Sequence, residues 1–239
     1  MEAEPKSIRK ISSGSYDINK WLFGGYDKDI ITTFYGPAGS GKTNFCILAA
    51  ASRAKKNNKI IFIDTEGGFS IDRFKQIVGE EYEKALENIL ILKPTTFQEQ
   101  WDAFGKLLKE IKSKTKIDLI IVDGMTMLYR LELAECEDDK VKIKIVNSKL
   151  ARQMRMLSEI ARKKNIPVLI TNQVYSDFED KTKVNMVGGD ILKYWSKCII
   201  ELQKGIGRRK AILRKHRSLA EGEISFEIIN SGIRRRGLF

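Results

Sequence analysis

Eight consecutive residues, Gly36-Pro37-Ala38-Gly39-Ser40-Gly41-Lys42-Thr43, follow a β-branched run ending at Tyr35 and precede an apolar run beginning near Lys42. The spacing is G-x-x-x-x-G-K-[ST], a loop in which glycines let successive backbone N–H groups converge on phosphate oxygens. Such a loop works only where a strand feeds it and a helix leaves it, because the helix N-terminus adds a favourable dipole. Residues 36–43 therefore form a candidate nucleotide-binding loop. Lys42 is expected to reach the β- and γ-phosphates and the Thr43 hydroxyl to ligate Mg²⁺, with ATP as the nucleotide.

The rest of the chain supplies the α/β setting such a loop needs. Short apolar runs at 30–35, 59–64, 89–92, 119–123 and 168–172 alternate with longer amphipathic segments, which is the βαβ pattern of a parallel sheet covered on both faces. A helix is expected over 97–112, with Phe97, Trp101, Phe104, Leu108 and Ile111 on one stripe and a Thr96–Glu99 capping box ahead of it. A second is expected over 140–165, with Ile145, Leu150, Met154, Leu157 and Ile160 or Ala161 on its inner side. After Tyr194, three strand-like runs at 197–203, 210–215 and 223–229 predict an antiparallel extension of the sheet.

Composition narrows the class further. Of 239 residues, 42% are hydrophobic and 31% charged, which is too apolar for a disordered chain. Apolar stretches such as 119–122 and 167–170 fall far short of the ~20 residues that span a membrane. Acids at positions 2 and 4 and no apolar core near the N-terminus argue against a secretory signal, so a cytoplasmic location is expected. Cys46, Cys136 and Cys198 are widely spaced and are expected to be reduced and buried. The net charge of +12 suits a polyanionic partner, or solubility alone.

Three further strands end in polar residues, at the sheet edge where α/β sites assemble. Asp64-Thr65-Glu66-Gly67 delivers Glu66, which suits general-base work on a water attacking a phosphoanhydride, although strand-end acids also cap helices. Asp123, after four apolar residues and before Gly124, is the candidate carboxylate for the Mg²⁺ shell. Asn172-Gln173 places an amide at the same edge, where it can report on a γ-phosphate or merely satisfy a turn.

Taken in order, GPAGSGKT, IDTEGGF, LIIVDG, ITNQV and VGGDILKYWSKCIIEL resemble the RecA/Rad-type recombinase ATPases over about 15–229. The resemblance implies a RecA-like core over 15–239 behind an N-terminal tail at 1–14. It puts a catalytic Glu on Glu66. In 69–73, FSIDR keeps only the last Arg of the archaeal F-R-P-E-R, which makes Arg73 the candidate to stack on adenine. Lys215 and Arg217, in the run Lys215-His216-Arg217-Ser218, resemble finger residues reaching a neighbour's γ-phosphate, and His216 is expected to pack.

Departures from the family pattern shape the functional reading. About fourteen residues precede Ser15, no F-x-x-A occurs, and the two loops that hold DNA in the recombinases carry Glu132, Glu135, Glu137, Asp138 and Asp139, then Asp177, Glu179 and Asp180. Positive charge gathers instead in Lys204, Arg208, Arg209, Lys210, Arg214, Lys215, Arg217 and Arg234 to Arg236. Those features favour a weak ATPase that binds ATP as a conformational ligand and DNA without sequence preference. It would act as an archaeal paralogue assisting a RadA-type recombinase in recombination and repair, with ATP-dependent self-association. An autonomous strand-pairing ATPase and a KaiC-like ATPase of another pathway are the alternative readings.

Overall fold

The computed structural model describes residues 10–113, 115–176, 184–205 and 208–237. In chain order the elements are β1 (Lys10–Ile11), α1 (Tyr16–Trp21), β2 (Tyr26–Asp27), β3 (Ile31–Tyr35), α2 (Lys42–Ala54), β4 (Lys59–Asp64), α3 (Ile71–Val78), α4 (Tyr82–Leu86), β5 (Ile89–Leu92), α5 (Phe97–Lys112) and β6 (Ile117–Asp123). They continue with α6 (Met127–Ala134), α7 (Lys140–Lys164), β7 (Val168–Asn172), β8 (Val174–Ser176), β9 (Val184–Met186), α8 (Gly189–Trp195), β10 (Cys198–Gly205), β11 (Arg208–His216), β12 (Gly222–Ile229) and β13 (Gly232–Arg235). Among the described residues, nine strands join in one sheet of order β13-β12-β11-β10-β3-β7-β6-β4-β5. The span from β10 to β5 is parallel, and β11, β12 and β13 extend it antiparallel, as the sequence leads one to expect.

Side chains that alternate along the strands feed two cores, which is why the strands read as unbroken apolar runs. Phe34, Ile60, Phe62, Leu119, Ile121 and Leu169 pack with α1 to α4 on one face. Ile31, Ile61, Ile63, Ile120, Val122, Val168 and Ile170 pack with α5 to α8 on the other. Parallel register aligns the strand ends, pairing Tyr35 with Asn172 and Asp64 with Asp123. The polar residues that close β3, β4, β6 and β7 thus share one edge.

Several details differ from the sequence reading. On α5 the buried set is Phe97, Gln100, Ala103, Phe104 and Leu107, so the inner stripe is rotated away from Trp101, whose ring instead faces Arg152 at 5.7 Å. On α7, Val146 points inward and Ile145 is exposed, because a two-position choice between neighbouring apolar residues depends on where the helix meets the sheet. Glu99 reaches back mainly to Thr95, with contacts of 2.7 and 2.8 Å, so the capping box closes one residue early, while Thr96 accepts from the Glu99 N–H. Within the expected tail, Lys10 and Ile11 pair with β2, and Ile11 is buried in the core. Glu132 lies on α6 and Asp139 caps α7, so part of the first acidic loop is helical. Asp177, Glu179 and Asp180 lie outside the described residues. All three cysteines are free and buried.

Candidate functional site

Gly41 caps α2 in the left-handed region at φ +108°, a conformation that turns the loop into the helix without a Cβ penalty. Lys42 is buried, and its ammonium donates to the Gly36 carbonyl at 2.9 Å, to Pro37 O at 3.0 Å and to Gln173 Oε1 at 3.5 Å. Burial lowers its pKa, while Glu66 and Asp123 act to raise it. The carbonyl oxygens at the ammonium are the kind of acceptor that phosphate oxygens would replace, and the buried Ser40 hydroxyl has no partner. An anion fits this cradle.

The cation position is equally well prepared. Thr171 donates from its hydroxyl to Asp123 Oδ1 at 2.6 Å, and the buried Asp123 Oδ2 has no hydrogen-bond partner. A Cβ placed on Gly68 would lie 3.2 Å from that Oδ2 and 3.3 Å from Thr43 Oγ1, so Gly68 keeps the space beside both oxygens open. Burial pushes the Asp123 carboxyl up to about 6, against the hydroxyls of Thr171 and Thr43. A cation beside Oδ2 would offset that burial. One carboxylate and one hydroxyl suit Mg²⁺, which keeps waters and phosphate oxygens for its remaining ligands. Among the described residues, no group of three or more His, Cys, Asp or Glu offers a protein-only cage.

Glu66 is exposed and open to water. Gln173 Nε2 donates to its two carboxylate oxygens at 3.1 and 3.4 Å. Behind Glu66, Gly124 adopts φ +87°, and a Cβ there would stand 2.3 Å from Thr65 Oγ1 and 2.7 Å from Glu66 Cγ. Asn172, by contrast, is structural: it accepts from the Thr126 hydroxyl and donates to Val187 O at 2.7 Å. The structure therefore brings Lys42, Thr43, Glu66, Asp123 and Gln173 together. Thr65, Gly68 and Thr171 belong to the same site but escape the sequence reading, since their roles appear only once the strand ends are in register.

The remaining candidates lie apart. Arg73 donates to Asn44 Oδ1 at 2.8 Å, Gln76 Oε1 at 3.1 Å, Asn230 O at 3.0 Å and Gly232 O at 3.1 Å. It ties α3 to α2 and to the β12–β13 turn. Lys215 and Arg217 follow the β10–β11 register to the edge opposite Lys42, where His216 pairs with Cys198 and Cys198 with Thr32. They cannot serve the phosphate loop of their own chain. Lys215 donates to Lys193 O at 2.7 Å, and Arg217 pairs with Asp27 at 3.1 Å and Asp29 at 2.9 Å.

The basic residues of 204–217 and 234–236 are divided in space. Arg214 pairs with Glu201 at 2.6 Å, Lys210 with Glu223 at 2.8 Å and Arg234 with Glu227 at 2.5 Å. Lys204 and Arg209 flank the phosphate-loop tip: a Cβ on Gly39 would lie 3.2 Å from Lys204 Nζ, and Arg209 Nε is 3.4 Å from Gly39 O. Arg208, Arg235 and Arg236 line a cleft of about 510 Å³ with Glu223.

A RecA-like P-loop core of this kind defines a class of ATPase folds, and comparison with known proteins narrows it. Residues 4–236 match the family described as Rad51. Curated relatives named "DNA repair and recombination protein RadB" are similar over nearly their whole length. The protein of Methanobrevibacter smithii is 40% identical over 222 residues, covering 90% of this chain and 92% of the relative. That of Methanocaldococcus jannaschii is 43% identical over 212 residues (89% and 96%), and that of Methanococcoides burtonii 41% over 232 residues (96% and 100%). The chain belongs to the Rad51 family, with archaeal RadB proteins as its relatives.

Proposed function

We propose that the chain is an ATP-binding accessory ATPase of recombination and DNA repair that assists a RadA-type recombinase and binds DNA without sequence preference. The process is supported by the names of its relatives. The observation that carries the ATP-dependent part is the position of Gln173, hydrogen-bonded to Glu66 and 3.5 Å from the Lys42 ammonium.

The residues of 36–43 hold the phosphates through backbone N–H groups and Lys42, while Thr43 and Asp123 hold Mg²⁺, which when bound neutralises charge on the phosphate oxygens. Glu66 orients a water and accepts its proton. Arg73 offers its guanidinium face to the base. When Lys42 turns to a γ-phosphate, Gln173 loses one of its two partners at the site, and the backbone that leads into β8 is freed to move. ATP and ADP then favour different shapes of the same surface. Lys215 and Arg217 act on the nucleotide of a neighbouring subunit, which makes self-association ATP-dependent. Contacts to DNA phosphates come from Lys204, Arg208 and Arg209. Among the described residues, no helix is long and apolar enough to cross a membrane.

Capture of the cognate recombinase on the immobilised chain, with ADP or a non-hydrolysable ATP analogue, tests the reading beside a strand-exchange assay. More recombinase is expected with the ATP analogue, and strand exchange only when the recombinase is present. Strand exchange by the chain alone would favour the autonomous enzyme, and capture indifferent to nucleotide would contradict an ATP-dependent role.

A further inference from the structure

Helix α1 ends in a pair of hydrogen bonds that normally calls for glycine. Leu22 is its C-cap, the Phe23 N–H donates to Lys20 O at 3.3 Å and the Gly24 N–H to Asn19 O at 2.7 Å. That is the Schellman arrangement, in which the residue after the cap is left-handed and usually Gly. Here it is Phe23, at φ +52°. The ring gains no burial in return, being 75% exposed. A bulky residue that carries both a left-handed backbone and a solvent-facing ring points to a use outside the fold.

Tyr16, at the start of the same helix, is 79% exposed, and among the described residues no large apolar side chain exceeds these two. Tyr16 opens the helix and Phe23 is the residue after its C-cap, so the two rings stand at opposite ends of α1. Lys20, also exposed, stands four residues after Tyr16 on the same helix and so shares its side, and Phe23 follows at the end of that helix. Strand β13 runs beside α1, since Asp17 Oδ2 accepts the Arg235 N–H at 2.7 Å, and the Arg235 side chain is exposed. An aromatic ring, an ammonium and a second ring, with an arginine alongside, match the charge and the flat faces of a polyanion with unstacked bases. A wholly apolar protein segment would leave Lys20 and Arg235 without counter-charges.

We propose that Tyr16, Lys20 and Phe23 form a stacking platform for single-stranded nucleic acid, extended by Arg235 on the neighbouring strand. The platform rests on the reading that the chain handles DNA, and it gives that reading a surface remote in sequence from the loops after Asp123 and Gln173. Its two parts lie more than 200 residues apart in the chain, joined by the 218-residue separation between Asp17 and Arg235.

Fluorescence anisotropy with a labelled thymidine oligonucleotide and a duplex of equal length, at one fixed salt concentration, tests the platform. The full chain is compared with Tyr16→Ala, Phe23→Gly, Tyr16→Phe and Phe23→Trp. Tyr16→Ala and Phe23→Gly should each lose about fivefold to a hundredfold in single-strand affinity, with duplex binding changed less than about twofold, while the two aromatic replacements retain it. Phe23→Gly should also raise the thermal midpoint by about 2–4 °C, so weaker binding by that variant would not reflect a damaged fold. Equal affinity in parent and variants, or equal losses on both nucleic acids, would overturn the platform alone. Loss of recombinase capture with unchanged oligonucleotide binding would assign the patch to a protein and also overturn it. A parent chain that binds no oligonucleotide would remove the DNA-binding part of the functional reading, and the platform with it.

Discussion

Gln173 and Glu66, 107 residues apart in the chain, meet through a 3.1 Å hydrogen bond at the common edge of β4 and β7. Because the same amide presents its oxygen to Lys42 at 3.5 Å, one side chain touches both the Lys42 ammonium and the proposed base. Any movement of Lys42 toward a phosphate is therefore felt at Glu66. The parallel register that aligns the ends of the central strands is what brings about this contact.

Glu66→Gln should retain nucleotide binding and lose hydrolysis, since the amide keeps the shape and cannot accept the proton of a water. Loss of a general base costs about 10²- to 10⁴-fold. Phosphate release and equilibrium binding measured on the same preparation check this. A variant hydrolysing at the parent rate would place the base elsewhere.

Gly124→Ala should destabilise the fold by about 1–3 kcal/mol, because the new methyl must stand at φ +87° and 2.3 Å from Thr65 Oγ1. The displaced Thr65 also donates to Asp123 O and Gly124 O. Urea unfolding gives the stability change, and the turnover rate should fall with it because Glu66 is pushed from its seat. Unchanged stability would mean that the strand end yields without cost.

Much of this was legible in the sequence, for a physical reason. The phosphate loop and the polar strand ends are each encoded by a few adjacent residues, and a buried parallel strand announces itself as an unbroken apolar run, so β4 and β5 follow their predicted bounds. What stayed hidden depends on residues meeting from distant parts of the chain. Thr171 reads as an ordinary strand residue until register sets it against Asp123. Arg217 reads as a free cation until Asp27 and Asp29 arrive beside it. Tyr16 and Arg235 carry no joint signal at all, and strand β13, Gly-Ile-Arg-Arg, has one apolar residue and so no apolar run to announce it.

Arg217 tests the neighbour-subunit role. Its ion pairs with Asp27 and Asp29 must open before it can meet a γ-phosphate, so the ATP-bound form should self-associate more strongly than the ADP form by at least about tenfold, a gain that charge-assisted contacts can supply. Sedimentation of the parent and of Arg217→Ala with ADP and with a non-hydrolysable ATP analogue should show the gain in the parent only. Identical behaviour in all four samples, with and without the recombinase, would leave Arg217 as a clamp on the β2 end.

The thiols should be inert in the folded protein. Burial pushes Cys198 up to about 12 and Cys46 well above the usual thiol range, and Cys136 is buried as well. At pH 8 an aromatic disulfide reagent should titrate less than about one thiol in the native chain and all three after unfolding. Fast reaction of Cys46 in the native chain would mean that α2, which starts at the phosphate loop, opens readily.

Equilibrium binding of a fluorescent ATP analogue to the parent and to Lys42→Ala, with and without Mg²⁺, bears most directly on the ATP site. On the proposed reading the buried ammonium meets the β- and γ-phosphates, so Lys42→Ala should lose at least about a hundredfold in affinity, the scale of a charge-assisted contact left unmade in a buried site. Parent binding should tighten with Mg²⁺. Affinity unchanged by Lys42→Ala would contradict the assignment of residues 36–43 as the nucleotide site.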